Sequence, residues 1–208
     1  MILAVIGTGY AGLVSGVCFS DLGNSVYSVD KNKSNIEMLL HGKVPIHEPG
    51  LEELISKNRS EGRLAFTSNI SVPVQDAEIV VITADTSQAF GEPQLQYIEQ
   101  VAREIALAMN GYKIIVIKSA VSVGINERIK QIISGLTENP FDVVMMPEFL
   151  EKGSAVQDML NPERIIIGTD SQEAAATIMK LHSPITNNII VTDIRSAEMI
   201  HEPLSIKP

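Results

Sequence analysis

Apolar residues fall into two rhythms along the chain. Short runs rich in Val and Ile recur at Leu3 to Ile6, Val26 to Asp30, Ile79 to Thr83, Ile114 to Lys118, Val143 to Met146 and Ile165 to Gly168. They are nearly continuous in apolar residues, the pattern of strands covered by helices on both faces. Between them, segments of helical period run over Ala11 to Leu22, Ser34 to Leu40, Leu51 to Asn58, Leu95 to Met109, Gly124 to Ser134 and Gln172 to Leu181. Leu95, Ile98, Val101, Ile105 and Met109 make one stripe at helical spacing, which is expected to be core. Ser34 and Glu37 have the spacing of a capping box. The alternation predicts an α/β fold, a doubly wound and mostly parallel sheet with helices on both faces. The irregular stretches Ala84 to Gln94 and Pro147 to Glu163 follow strands, so they are expected at the carboxyl edge, where such sheets bind ligands.

Composition narrows this without changing it. A chain of 208 residues with 45% hydrophobic residues can bury a substantial core. Its formal charge of −9 disfavours nucleic acid as a partner, because gripping a phosphate backbone needs a basic face. There is no run of about 18 apolar residues for a membrane span and no charged start of a signal peptide. The single cysteine, Cys18, has no disulfide or CxxC partner. A cytoplasmic chain is expected, with Cys18 packed on the helical face of Val14, Val17 and Leu22.

The segment Gly7-Thr8-Gly9-Tyr10-Ala11-Gly12 places GxGxxG after a strand and at the opening of a helix. This is the context that a dinucleotide-binding, Rossmann-like unit requires. Gly7 can turn tightly, Gly9 lets the backbone approach a pyrophosphate, and Gly12 lets helix and strand pack closely. The helix amino terminus then offers N–H donors and positive dipole to the phosphates. Asp30, ending the second strand, can accept hydrogen bonds from the hydroxyls of an adenosine ribose, and its charge favours NAD over NADP. It can also cap the turn from Lys31 to Ser34.

Four segments are together more specific than the glycine loop alone. Gly7 to Val14 (GTGYAGLV), Pro45 to Leu51 (PIHEPGL), Pro147 to Ala155 (PEFLEKGSA) and Asp158 to Gly168 (DMLNPERIIIG) resemble the UDP-glucose/GDP-mannose dehydrogenase family, in particular its UDP-glucose 6-dehydrogenases. The resemblance implies an NAD-binding domain over residues 1–193, followed at 194–208 by the start of a connecting helix and a tail. It assigns cofactor contacts to Gly7, Gly9, Tyr10, Ala11, Gly12, Asp30, Thr86 and Ser119. Contacts to a nucleotide sugar such as UDP-glucose fall to Glu148, Phe149, Leu150 and Glu151. Glu148 can alternatively stabilise a helix dipole from a first turn. Asn161 to Arg164 match a family turn, read equally as a purely structural one.

The family oxidises a primary alcohol to a carboxylate in two hydride transfers to NAD, through a thioester on a cysteine. Much of that chemistry has no counterpart here. Cys18 lies inside the first helix, His201 stands where the family has lysine, and Pro203 interrupts the connecting helix. Lys152 replaces a family carboxylate, Ala120 a threonine, Ser87 a proline and Asn35 a cofactor-binding lysine. No catalytic set is intact, and only Glu148 and Lys152 remain as candidates for proton transfer. His47 is expected to pack, while His41 and His182 have no partner that suggests a role. The chain is thus expected to bind NAD without turning over alone, or to act as a non-catalytic nucleotide-binding module paired with another chain. Apolar surface left for a partner would favour a homo-oligomer.

Overall fold

The computed structural model describes residues 1–83, 92–119 and 121–200, with the side chains of residues 92 and 93 left out. Thr86, Ser87, Ala120, His201 and Pro203 therefore lie outside the described residues. The strands are β1 (Ile2–Ile6), β2 (Ser25–Val29), β3 (Leu64–Thr67), β4 (Ile79–Ile82), β5 (Lys113–Ile117), β6 (Phe141–Met145), β7 (Ile165–Gly168) and β8 (Ile189–Thr192). The helices are α1 (Tyr10–Asp21), α2 (Lys33–Leu40), α3 (Leu51–Ser60), α4 (Ser71–Asp76), α5 (Glu92–Ala108), α6 (Ile125–Ser134), α7 (Ala155–Leu160), α8 (Gln172–His182) and α9 (Ile194–Ile200).

All eight strands form one sheet in the order β3-β2-β1-β4-β5-β6-β7-β8. Neighbours pair in parallel except β6 and β7, which meet antiparallel at Met145 and Gly168. The expected doubly wound sheet is present, with β3 and β8 added to the six runs read from the sequence.

Side-chain alternation divides the core. Leu3, Val5, Ile79, Val81, Ile114 and Val116 face one apolar layer with residues of α1, α3 and α8. Ala4, Ile6, Val80, Ile82, Ile115 and Ile117 face the other, with residues of α5, α6 and α9. Because both layers are apolar, the central strands have no polar face, which explains their continuous hydrophobic runs. The expected stripe is core except at its start: Ile98, Val101 and Ile105 are fully buried and Met109 nearly so, whereas Leu95 is half-buried.

Two local expectations are corrected. Ser34 does not cap α2. Asn32 does, its Oδ1 accepting from the backbone N–H groups of Ser34 (3.1 Å) and Asn35 (3.3 Å). An Asn at that position begins the helix earlier than the Ser-x-x-Glu spacing implied. His47 is exposed rather than packed, because in the turn between Pro45 and Pro49 it is Ile46 that packs against the core and Glu48 that is buried.

Candidate functional site

The loops carrying the candidate residues leave one edge of the sheet. Ladder bonds run slightly past the strands there: Gly7 N–H to Val29 O, Thr83 N–H to Ile6 O, Lys118 N–H to Ile82 O and Met146 N–H to Ile117 O. These bonds hold Gly7, Thr83, Lys118, Ser119 and Pro147 at the carboxyl edge, beside the reversal of strand order at β1 and β4.

The glycine loop is shaped by close approach. Gly7 adopts φ 110°, a region that L side chains avoid. A Cβ there would also lie 2.7 Å from Thr83 Oγ1. A Cβ on Gly12 would overlap the Gly7 carbonyl oxygen and Thr83 Oγ1. Gly9 is the N-cap of α1 and supplies no side-chain cap, and the first turn carries no acid. The opening N–H groups at Tyr10, Ala11 and Gly12 thus form a positive, uncapped end suited to an anion.

Asp30 follows β2 directly. Its Oδ2 accepts from Thr8 N–H at 2.8 Å and Thr8 Oγ1–H at 2.6 Å, and its Oδ1 accepts from Asn32 N–H at 2.9 Å. Asp30 therefore caps the following turn and also ties that turn to the glycine loop. A carboxylate offers about four acceptor positions, so one remains for a ribose hydroxyl. Ser119 is buried at the end of β5.

The segment after β6 builds a different environment. Glu148, Phe149, Leu150 and Glu151 line a cavity of about 370 Å³, with Lys118 and His182 also on its wall. Glu148 Oε2 is withdrawn from solvent and has no hydrogen-bonding partner among the described residues. Burial pushes the Glu148 carboxyl above its usual range, opposed by the Lys118 ammonium. Burial likewise lowers Lys118, against the attraction of Glu148. Buried His182 donates from Nδ1 to Ile178 O at 2.8 Å, and burial holds its pKa down to about 4. Phe149 is 43% exposed, under the Arg164 guanidinium at 5.7 Å from its ring centre. Glu148 lies in an irregular stretch well before α7, so it is not a first-turn acid of that helix. Lys152 is exposed, its ammonium 6.0 Å from the centre of the Tyr10 ring and not on the cavity wall. Cys18 is fully buried, and burial raises its thiol to about 12, so it is a packing residue without thiolate character.

Sequence reasoning missed three participants. Lys118 and His182 join Glu148 only through the packing of β5, α8 and the loop after β6. Glu48 is 4% exposed and accepts from Tyr10 Oη, from Gly153 N–H at 3.1 Å and from Ala155 N–H at 2.7 Å. Its position between Pro45 and Pro49 was the available signal, since a rigid turn can aim one side chain inward.

A GxGxxG loop on β1–α1, an acid after β2 and a ligand-sized cavity at the same sheet edge define a Rossmann-type dinucleotide-binding domain. Comparison with known proteins gives the family. Residues 1–186 match the UDP-glucose/GDP-mannose dehydrogenase family, NAD binding domain, and the chain belongs to that family. It is 44% identical over 201 residues to UDP-glucose 6-dehydrogenase TuaD of Bacillus subtilis (strain 168), covering 95% of this chain and 44% of that protein. It is 38% identical to the UDP-glucose 6-dehydrogenase of Rhizobium meliloti (strain 1021), covering 96% of this chain and 48% of that one. Among solved structures, a GDP-mannose dehydrogenase from Pseudomonas aeruginosa in a ternary complex superposes with a TM-score of 0.90 at 30% identity, covering 97% of this chain and 48% of the other. The chain thus spans about half the length of the relatives it matches. Its cofactor is NAD, that of its family's domain. Among the described residues, no helix is long and apolar enough to cross a membrane.

Proposed function

We propose that this chain holds NAD on the glycine loop and presents a UDP-sugar, UDP-glucose by the family reaction, along the segment Glu148 to Glu151. The tight turn that Gly7 and Gly12 make against Thr83 under the uncapped end of α1 carries the reading, since a Cβ at either glycine would force that turn apart. The N–H groups of Tyr10, Ala11 and Gly12 receive the pyrophosphate, Asp30 receives the adenosine ribose, and Ser119 borders the nicotinamide end. When bound, NAD accepts hydride from the alcohol carbon of the sugar. The pocket of Glu148 to Glu151 orients that carbon and limits water, and Glu148 is the proton acceptor. Its raised affinity for a proton and its unpartnered Oε2 suit that role.

The oxidation of UDP-glucose to UDP-glucuronate with two NAD is proposed for the whole protein and not for these residues alone. Cys18 is buried inside α1 and cannot form a thioester, and Lys152, facing Tyr10, cannot replace the family carboxylate. That mismatch favours a second reading, a nucleotide-binding module that pairs with another chain. Exposed Ile190, Val191, Met199 and Ile200 at the β8 and α9 end support self-association as a homo-oligomer. A cytoplasmic location is part of this reading, with Cys18 free and buried.

Calorimetric titration with NAD and then UDP-glucose, run beside an absorbance assay for NADH, tests this. NAD binding without NADH is expected. No binding at millimolar NAD would sink the cofactor assignment, and NADH production would show that the chain is catalytically complete.

A further inference from the structure

Resting on the NAD reading above, we propose that Glu48 is a positioning residue that couples the cofactor loop to the sugar-binding loop, so that NAD on α1 orders residues 148–155. Glu48 is not on the wall of the cavity, yet it joins the two segments assigned to the ligands.

Tyr10 opens α1, and its backbone N–H is one of the proposed pyrophosphate donors. Its phenol donates to Glu48 Oε2 and stands 3.1 Å from the Glu151 carbonyl, which competes for the same proton. From the other side, Gly153 N–H donates to Glu48 Oε2 at 3.1 Å and to Tyr10 Oη at 3.3 Å. Ala155 N–H donates to Glu48 Oε1 at 2.7 Å. One buried carboxylate is thus the acceptor shared by the cofactor loop and the far end of the loop on which Glu148 to Glu151 lie. The turn presenting it is anchored to α3, where Leu51 N–H donates to the Glu48 carbonyl at 3.1 Å. Buried, charge-assisted bonds of this kind are strong and geometrically demanding. A shift of the α1 end on closing over a pyrophosphate would therefore be felt at Gly153 and Ala155.

Glu48→Gln preserves shape but replaces one acceptor oxygen with an NH2 donor. That donor must face either the Tyr10 hydroxyl or a backbone N–H. Tyr10→Phe removes the phenol alone and serves as a second probe should the first variant fail to fold. The readout is hydrogen exchange of the peptide spanning residues 151–155, with and without NAD, each variant being saturated according to its own measured Kd. In the wild-type chain, NAD should slow exchange there about tenfold. In either variant, that NAD-dependent slowing should fall below about twofold. A purely structural Glu48 would raise exchange equally in both states and leave the NAD-dependent ratio intact. A retained ratio, or a wild-type chain that binds NAD with no change at 151–155, would overturn the coupling. Failure of the wild-type chain to bind NAD, seen directly in the titration, would overturn the cofactor assignment and the coupling with it.

Discussion

The two ligand-facing regions at the carboxyl edge differ in how they spend their polar groups. Around the glycine loop, shape decides: Gly7 and Gly12 bring backbone against Thr83, and Asp30 binds Thr8 and Asn32 within hydrogen-bonding distance. Around Glu148, charge decides. Lys118, Glu148 and His182 are gathered beside a cavity, and Glu148 Oε2 is left without a partner. A buried polar atom without a partner costs about 1–3 kcal/mol. The first region thus offers backbone N–H groups set in place by tight packing, whereas the second offers a buried carboxylate oxygen whose hydrogen-bonding capacity is unmet.

Changes of shape and of charge should separate the two regions. The largest effect is expected at Gly12→Ala, whose Cβ would overlap the backbone of Gly7. Overpacking against backbone should cost about 3 kcal/mol and lower Tm by about 10 °C in thermal unfolding. An unchanged Tm would mean that the cradle is not held by contact.

The second concerns pH. The His182 pKa is about 4 in the fold, below the usual value of about 6.5. Between these values the unfolded chain binds a proton that the folded chain refuses, so stability falls as pH drops through that window. Urea unfolding should show a loss of about 2 kcal/mol from pH 7 to pH 5, reduced in His182→Phe. Equal losses in both proteins would remove His182 from the buried charge cluster.

Asp30→Asn comes third. It exchanges an acceptor oxygen for a donor and should weaken NAD binding about tenfold by calorimetry. Unaltered affinity would leave Asp30 as a turn cap alone. The smallest effect is expected at Asn32→Ala, where loss of the α2 cap should cost about 1 kcal/mol in denaturant unfolding. A cost well above that would show that the turn after β2 supports more than the helix it starts.

Much of the fold was legible because its signals are local. The runs at β1, β2, β4, β5, β6 and β7 are long enough or apolar enough to stand out, and the stripe on α5 repeats for several turns. β3 and β8 were not seen: both lie at sheet edges, β3 with only Leu64 and Phe66 buried and β8 with Ile190 and Val191 half exposed. The reversed direction of β7 depends on pairing with β6, which no periodicity encodes. In the site, the glycine loop and Asp30 were readable because a fixed spacing joins strand, turn and helix. The Tyr10–Glu48–Ala155 link and the Lys118–Glu148–His182 group were not, because their members are far apart in the chain.

The sequence by itself determined the parallel architecture, the dinucleotide loop and the family, because each depends on residue type at short, regular spacing. Tertiary structure alone decided which titratable groups share a pocket, which carboxylate lacks a partner and which one ties two loops together. The physical reason is range. Sterics and periodicity act between neighbours in the chain, whereas burial and electrostatics act between neighbours in space, and only folding makes Glu48 a neighbour of Ala155.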